Sequence, residues 1–200
     1  MIRPGSCLIL ALAVCLGCLK PGSSPPVVFH TLAPIQAPAP PAPRSTLAVE
    51  VMPVRLPEVL LRPQMVVARG SALELSETQR WGNPLDRDMQ RVLAQNLALL
   101  LGSDAVVPSP YGERVAAAFR VDVDVQRWDA RDGGELVLEA VWMVSPAAGG
   151  KALLVRHTSL REPVPGADAD ALAAAHSRVL GALSREIAEG LRACAGKGQP

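Results

Sequence analysis

Phe119-Arg120-Val121-Asp122-Val123-Asp124-Val125-Gln126 alternates apolar and polar residues without a break. Successive side chains of a strand point to opposite faces, so Phe119, Val121, Val123 and Val125 form a row to be buried and Arg120, Asp122, Asp124 and Gln126 a wet one. Asp132-Gly133-Gly134 then marks a turn, and Glu135 to Val144 is a second long strand expected to pair antiparallel with the first. Leu153 to Leu160 adds a third beside it. Asp122 and Asp124 point outward together, which in principle suits acid/base work or a cation. The alternation alone explains them and no third ligand is evident, so they read as a solvated face.

A sheet with one covered face needs helices, and two segments have the period. Asn83-Pro84 opens the first, with Asn83 as the expected N-cap, Pro84 at the first helical position and Gly102 as the stop. Leu85, Met89, Val92, Leu93, Leu97 and Leu100 recur every three or four residues, while Asp86, Arg87, Asp88, Gln90 and Arg91 are expected on the outward face. Asn96 falls on or beside the apolar stripe, where its amide needs partners, and a neighbouring loop is the expected one. The second helix starts near Asp168 and keeps Leu172, His176, Val179, Leu180, Leu183, Ile187 and Leu191 on one side. Its alanines at 169, 171 and 173 to 175 favour helix and close approach, and His176 reads as a core or interface residue.

Upstream, Leu47 to Val51 and Gln64 to Ala68 read as strands, and Val27 to Leu32 as a short one. Between Pro53 and Pro63 the chain is apolar, but its prolines forbid a regular helix throughout, so a packed loop with a short turn is expected. The fold class that follows is α/β (α+β): a mixed, largely antiparallel sheet packed by two main helices in a single domain. Prolines at 34, 38, 40, 41 and 43 make residues 33–45 a Pro/Ala-rich loop, with a spacer preferred over a proline-recognition ligand.

The start of the chain is an address. Arg3 supplies a basic beginning, and Cys7 to Leu16 is an apolar run too short for a membrane anchor before Gly17-Cys18. Cys15-Leu16-Gly17-Cys18 resembles the bacterial lipobox, in which a small residue precedes a cysteine that is acylated and becomes the mature N-terminus. A competing frame ending at Cys15 would place bulky Val14 where a small residue is needed. The expected organisation is a signal peptide over 1–17, the lipidated Cys18 and a tether over 18–26, the domain over 27–195 and a tail over 196–200. Cys194 would then be the one thiol of the mature chain, which excludes an intramolecular disulfide. His30, His157, His176 and Cys194 lie too far apart in sequence to suggest a zinc site. Twenty basic against nineteen acidic residues, net +1, give no field to hold nucleic acid.

The stretch Val51-Met52-Pro53-Val54-Arg55-Leu56-Pro57-Glu58-Val59-Leu60-Leu61-Arg62-Pro63-Gln64-Met65-Val66-Val67-Ala68-Arg69 resembles the PqiC-type auxiliary lipoproteins of ABC transport systems, which carry V-x-L-P-E-x-L-x-R-P-Q-[IM]-V-x-R and an R-W-A-E-P-L signature. The second reads Arg80-Trp81-Gly82-Asn83-Pro84-Leu85 here, with Gly82 and Asn83 in place of Ala and Glu. Phe29 to Leu32, Arg91 to Leu97, and the hairpin with Trp128, Asp129, Gly133, Leu138 and Trp142 extend the likeness over nearly the whole mature chain. The resemblance implies a non-enzymatic lipoprotein that faces the periplasm and works with a mammalian-cell-entry (MCE) domain protein and its permease and ATPase in moving lipids between envelope membranes.

These expectations give no catalytic residue, no metal and no cofactor beyond covalent lipid, such as palmitate, at Cys18. Leu19 after the cysteine, instead of Asp, points to the outer membrane, and a homo-oligomeric ring would suit a tubular partner. Arg62, Gln64, Arg80 and Trp81 are the candidate partner-binding residues, because Trp and Arg dominate binding hot spots. A structural part competes: Trp81 as a plug on the first helix's apolar face, with the arginines satisfying nearby carbonyls or acids. A structural or assembly lipoprotein binding lipopolysaccharide machinery or cell wall is the alternative. A hydrolase is disfavoured by the lack of G-x-S-x-G, H-E-x-x-H or a Cys/His/Asn set.

Overall fold

The structure, a computed structural model, describes residues 25–36, 45–110, 116–131, 134–165 and 168–197. The signal peptide, Cys18, most of the tether, residues 37–44 of the Pro/Ala loop, the turn residues Asp132 and Gly133, and residues 198–200 lie outside the described residues.

The alternating stretch is the spine of the sheet. Strand β6 (Phe119–Arg131) pairs antiparallel with β7 (Glu135–Pro146) along its length, and β7 pairs antiparallel with β8 (Leu154–Pro163). Its other side is shared by two short parallel partners: β2 (Val49–Val51) beside Phe119–Val121, and β3 (Gln64–Arg69) beside Ala130 and Arg131. Beyond β2 lies β5 (Val106–Pro108), again parallel. Beyond β3 come antiparallel β4 (Ala72–Trp81) and, at the edge, β1 (Val28–His30), parallel to β4. These eight strands form one mixed sheet.

A register shift between Val125 and Arg127 moves the buried row of β6 from odd to even positions. Phe119 to Val125 are buried as the alternation requires, and Trp128 and Ala130 continue the same face after the bulge. The Pro53–Pro63 stretch is a packed loop with a 3-10 turn at Glu58–Leu61.

Two helices cover one face of the sheet. Helix α1 (Leu85–Leu101) ends as expected on Gly102, whose φ of 64° is left-handed. Its start differs: Pro84 occupies the cap position and no side chain bonds the free amides, so Asn83 is not the N-cap. Leu85, Met89, Val92, Leu93 and Leu97 are buried, and Leu100 only partly. Asp88 and Gln90, expected outside, are buried as well. The Asp88 carboxylate accepts the Leu32 amide at 2.9 Å and the Arg91 guanidinium at 2.7 Å. Gln90 Nε2 donates to the carbonyls of Val51 and Ser109 at 2.9 and 2.7 Å. Leu32 and Ser109 lie just past the ends of their strands, where buried backbone groups need such partners. Asn96 does hold a loop: it accepts the Ile35 amide at 2.9 Å and donates to Ser184 Oγ at 3.0 Å.

Helix α2 (Ala169–Lys197) runs two residues past the expected end of the domain, and all seven residues of its predicted face are buried. Asp168 caps it, accepting the Ala171 amide at 2.6 Å. At Gly190 an added Cβ would stand 2.8 Å from Leu154 and from the Trp142 ring, so small residues bring this helix against the strands.

Candidate functional site

Cross-strand register sorts the predicted site residues. Phe29, Arg80 and Gln64 are direct neighbours across β1, β4 and β3, and His30 stands opposite Trp81. Trp81 is 5 % exposed, its ring 5.2 Å from the His176 imidazole of α2 at 73°. The Trp128 ring lies 4.9 Å from the same imidazole. Trp81 is thus a core residue, as its structural reading expects, but its ring partner lies on α2 and not on the first helix, whose apolar face it was expected to plug. His176 is a core residue: Nδ1 donates to the Leu172 carbonyl at 2.9 Å, and burial lowers its pKa to about 4.

Since Trp81 faces the helices, its strand neighbour Arg80 faces away, and so do Gln64 and Phe29 in the same register row. Arg62 is exposed on the extended residue that leads into β3. The structure therefore brings Gln64 and Arg80 together on the helix-free face, leaves Arg62 exposed just before β3, and separates Trp81 from the row. Gln64 Oε1 and Arg80 Nε are buried with no hydrogen-bond partner among the described residues. An acceptor and a donor left unpaired side by side is unusual for a protein interior. Phe29, 63 % exposed, completes the row. It was missed because strand pairing, not spacing along the chain, places it there.

The rest of the helix-free face carries paired charges. Arg120 meets Glu50 at 3.0 Å, Arg55 meets Asp124 at 3.0 Å, and Arg127 grips Asp129 at 2.8 and 3.0 Å. The hydrogen bond to Asp129 holds the Arg127 pKa above its ordinary value against the opposing effect of burial. Asp124 is thereby engaged, and Asp122 shares the outward row.

On the helix side, between the β3–β4 hairpin and the start of α2, lies an open cleft of about 650 Å³. Met65, Val67, Ala130, Val164 and Leu172 give it an apolar floor, and Arg69, Glu74, Arg131 and Asp168 a charged rim. The Arg69–Glu74 pair closes at 2.6 Å. Among the described residues no three His, Cys, Asp or Glu side chains come together as a metal requires. No described helix is long and apolar enough to cross a membrane.

A family model described as the ABC-type transport auxiliary lipoprotein component matches residues 30–188. The chain belongs to this family. The match runs from the last residue of β1 to the buried Ala188 of α2, so in this auxiliary lipoprotein it spans β2 to β8, all of α1 and α2 as far as Ala188. A crystal structure of a Xanthomonas campestris protein is 14% identical, with a TM-score of 0.72, over 86% of this chain and 98% of its own. The crystal structure of an uncharacterized protein is 19% identical, with a TM-score of 0.69, over 84% and 99% respectively. At such identities the likeness is one of fold. No curated protein matches the sequence.

Proposed function

We propose that this chain is a non-catalytic lipoprotein of the outer membrane that docks the periplasm-spanning MCE-domain protein of an ABC-type lipid transport system and so supports envelope integrity. The observation that carries the reading is the family match over residues 30–188 in a chain that opens with a signal run and Gly17-Cys18. Acylation of Cys18 is the attachment, and Leu19 after it favours the outer membrane. An acyl anchor, a proline-broken tether and one compact domain suit a docking station that must reach a partner while staying fixed to a surface.

The docking residues in this reading are Gln64 and Arg80 on the helix-free face and Arg62 just before β3, with Trp81 holding the row from behind. A partner that draws either side chain outward would give Arg80 Nε an acceptor and Gln64 Oε1 a donor. That makes the row a better candidate than the neighbouring ion pairs, whose charges already satisfy each other. Self-association into a ring around the partner belongs to the same proposal.

The test is co-purification of the acylated full chain in mild detergent from its native host, followed by identification of the bound proteins. Recovery of an MCE-domain protein with its permease and ATPase is expected, and a mass well above that of one chain reads the ring. Recovery of lipopolysaccharide-assembly or cell-wall proteins instead would favour the structural alternative. Fractionation places the anchor, and attachment to the inner membrane would contradict the outer-membrane part.

A further inference from the structure

Eight large apolar side chains are exposed in the described residues, and five lie along one edge of the sheet. Val27, Val28 and Phe29 stand at or beside β1, and Leu73 and Leu75 on the first half of β4. β1 covers β4 only from Gln79 to Trp81, so the β4 edge before Gln79 has no strand beside it among the described residues. The Leu73 and Leu75 side chains share the helix-free face with Ala68 and Val66, their register partners. Glu74 between them points to the opposite face, where it pairs with Arg69, and exposed Glu77 is the acidic residue between Leu75 and Gln79. A long open apolar edge invites a covering surface.

The tether identifies that surface. Because β1 is parallel to β4, the chain before Val28 is directed back along β4 toward Leu75 and Leu73, and Pro25, Pro26 and Val27 are exposed on that path. Only Leu19 to Pro26 separate Cys18 from Val27. Even fully extended they reach about 30 Å, at about 3.3–3.6 Å per residue. An acylated Cys18 therefore keeps this edge within reach of the bilayer that holds it. Leu153 and Val155, equally exposed, belong to the opposite edge of the sheet and have no such link.

We propose that the β1 and open β4 edge rests on the phospholipid surface, with Phe29, Leu73 and Leu75 seated among the headgroups. The proposal rests on acylation at Cys18. The acyl chains supply the affinity, whereas the edge supplies orientation: a tether alone lets the domain tumble, and a two-strand apolar contact stops it. Phe29 stands at the end of the Arg80–Gln64 row, so the same contact sets the docking row beside the membrane.

The full chain, processed and purified with Cys194→Ser, is given one cysteine at a time by Phe29→Cys, Leu75→Cys or Val155→Cys, and labelled with a fluorophore. It is then reconstituted in vesicles of brominated phosphatidylcholine. The labels at 29 and 75 should be quenched several-fold more than the label at 155. Leu73→Ser with Leu75→Ser should abolish the difference at position 29 while the protein stays bound. Equal quenching at all three sites, or protection of 29 and 75 from aqueous iodide without lipid quenching, overturns the proposal, the latter in favour of a protein cover. Mass spectrometry of the N-terminus reads the anchor separately. Acyl groups present with no quenching at 29 and 75 means that the edge fails and the anchor stands. An unacylated chain means that the anchor reading fails, and its labels at 29 and 75 must still be the ones quenched on adding vesicles for the edge to survive.

Discussion

The two helices cover the same sheet face in different ways. Helix α1 directs three polar side chains inward and uses each to hold backbone from elsewhere: Asp88 the Leu32 amide, Asn96 the Ile35 amide, and Gln90 the carbonyls of Val51 and Ser109. Helix α2 buries a longer apolar face, and its buried His176 and Ser184 bond carbonyls of their own helix, at Leu172 and Leu180. The first helix is a directional organiser and the second is a packing slab. Removal of an apolar side chain should therefore cost the same on either helix, whereas removal of a buried polar one should matter mainly on α1.

Leu93→Ala and Leu183→Ala are the largest tests, since both side chains are fully buried. Each should cost about 2–5 kcal/mol in denaturant unfolding. Gln90→Ala comes next, because it takes the donor from the Ser109 carbonyl while Val51 keeps the Ser109 amide, and about 1–3 kcal/mol is expected. A cost near zero would return Gln90 to the solvent side and undo the contrast between the helices. Gly190→Ala probes the slab: the added methyl must displace Leu154 or Trp142, at about 1–3 kcal/mol, against about 1 kcal/mol regained in helix propensity. A net gain in stability would mean that the close approach is not tight.

The same comparison explains what the sequence made legible. The β6 alternation, the β6–β7 hairpin and the buried faces of both helices were readable because one face is apolar and the other wet. β4 was not, since Ala72 to Leu75 are exposed on both faces and leave no buried row to detect, and three-residue β5 is too short to register. Asp88 and Gln90 looked like solvent residues because a helical wheel cannot register backbone arriving from Leu32, Val51 and Ser109. Trp81 and Arg80 were found together by motif, but only the pairing with His30 and Phe29 assigns one to the core and the other to the surface.

A pH dependence is expected as well. The folded His176 pKa of about 4 lies below the ordinary 6.5, so the unfolded chain takes up the proton first. Stability should be fully present above pH 6.5, fall as the pH drops toward 4, and level off below. His176→Leu should flatten that part of the profile, measured by thermal unfolding at pH 7 and pH 4.5, and an unchanged slope would assign it to other groups.

The central claim is that the helix-free row docks a transporter, and site-specific photo-crosslinking in living cells tests it most directly. A photoreactive residue at Arg62 or Gln64 should capture an MCE-domain protein, whereas the same residue at Arg156, on the far edge strand, should not. Capture at Arg156 alone, or capture of no transporter component at any position in a folded and correctly anchored protein, would contradict the account.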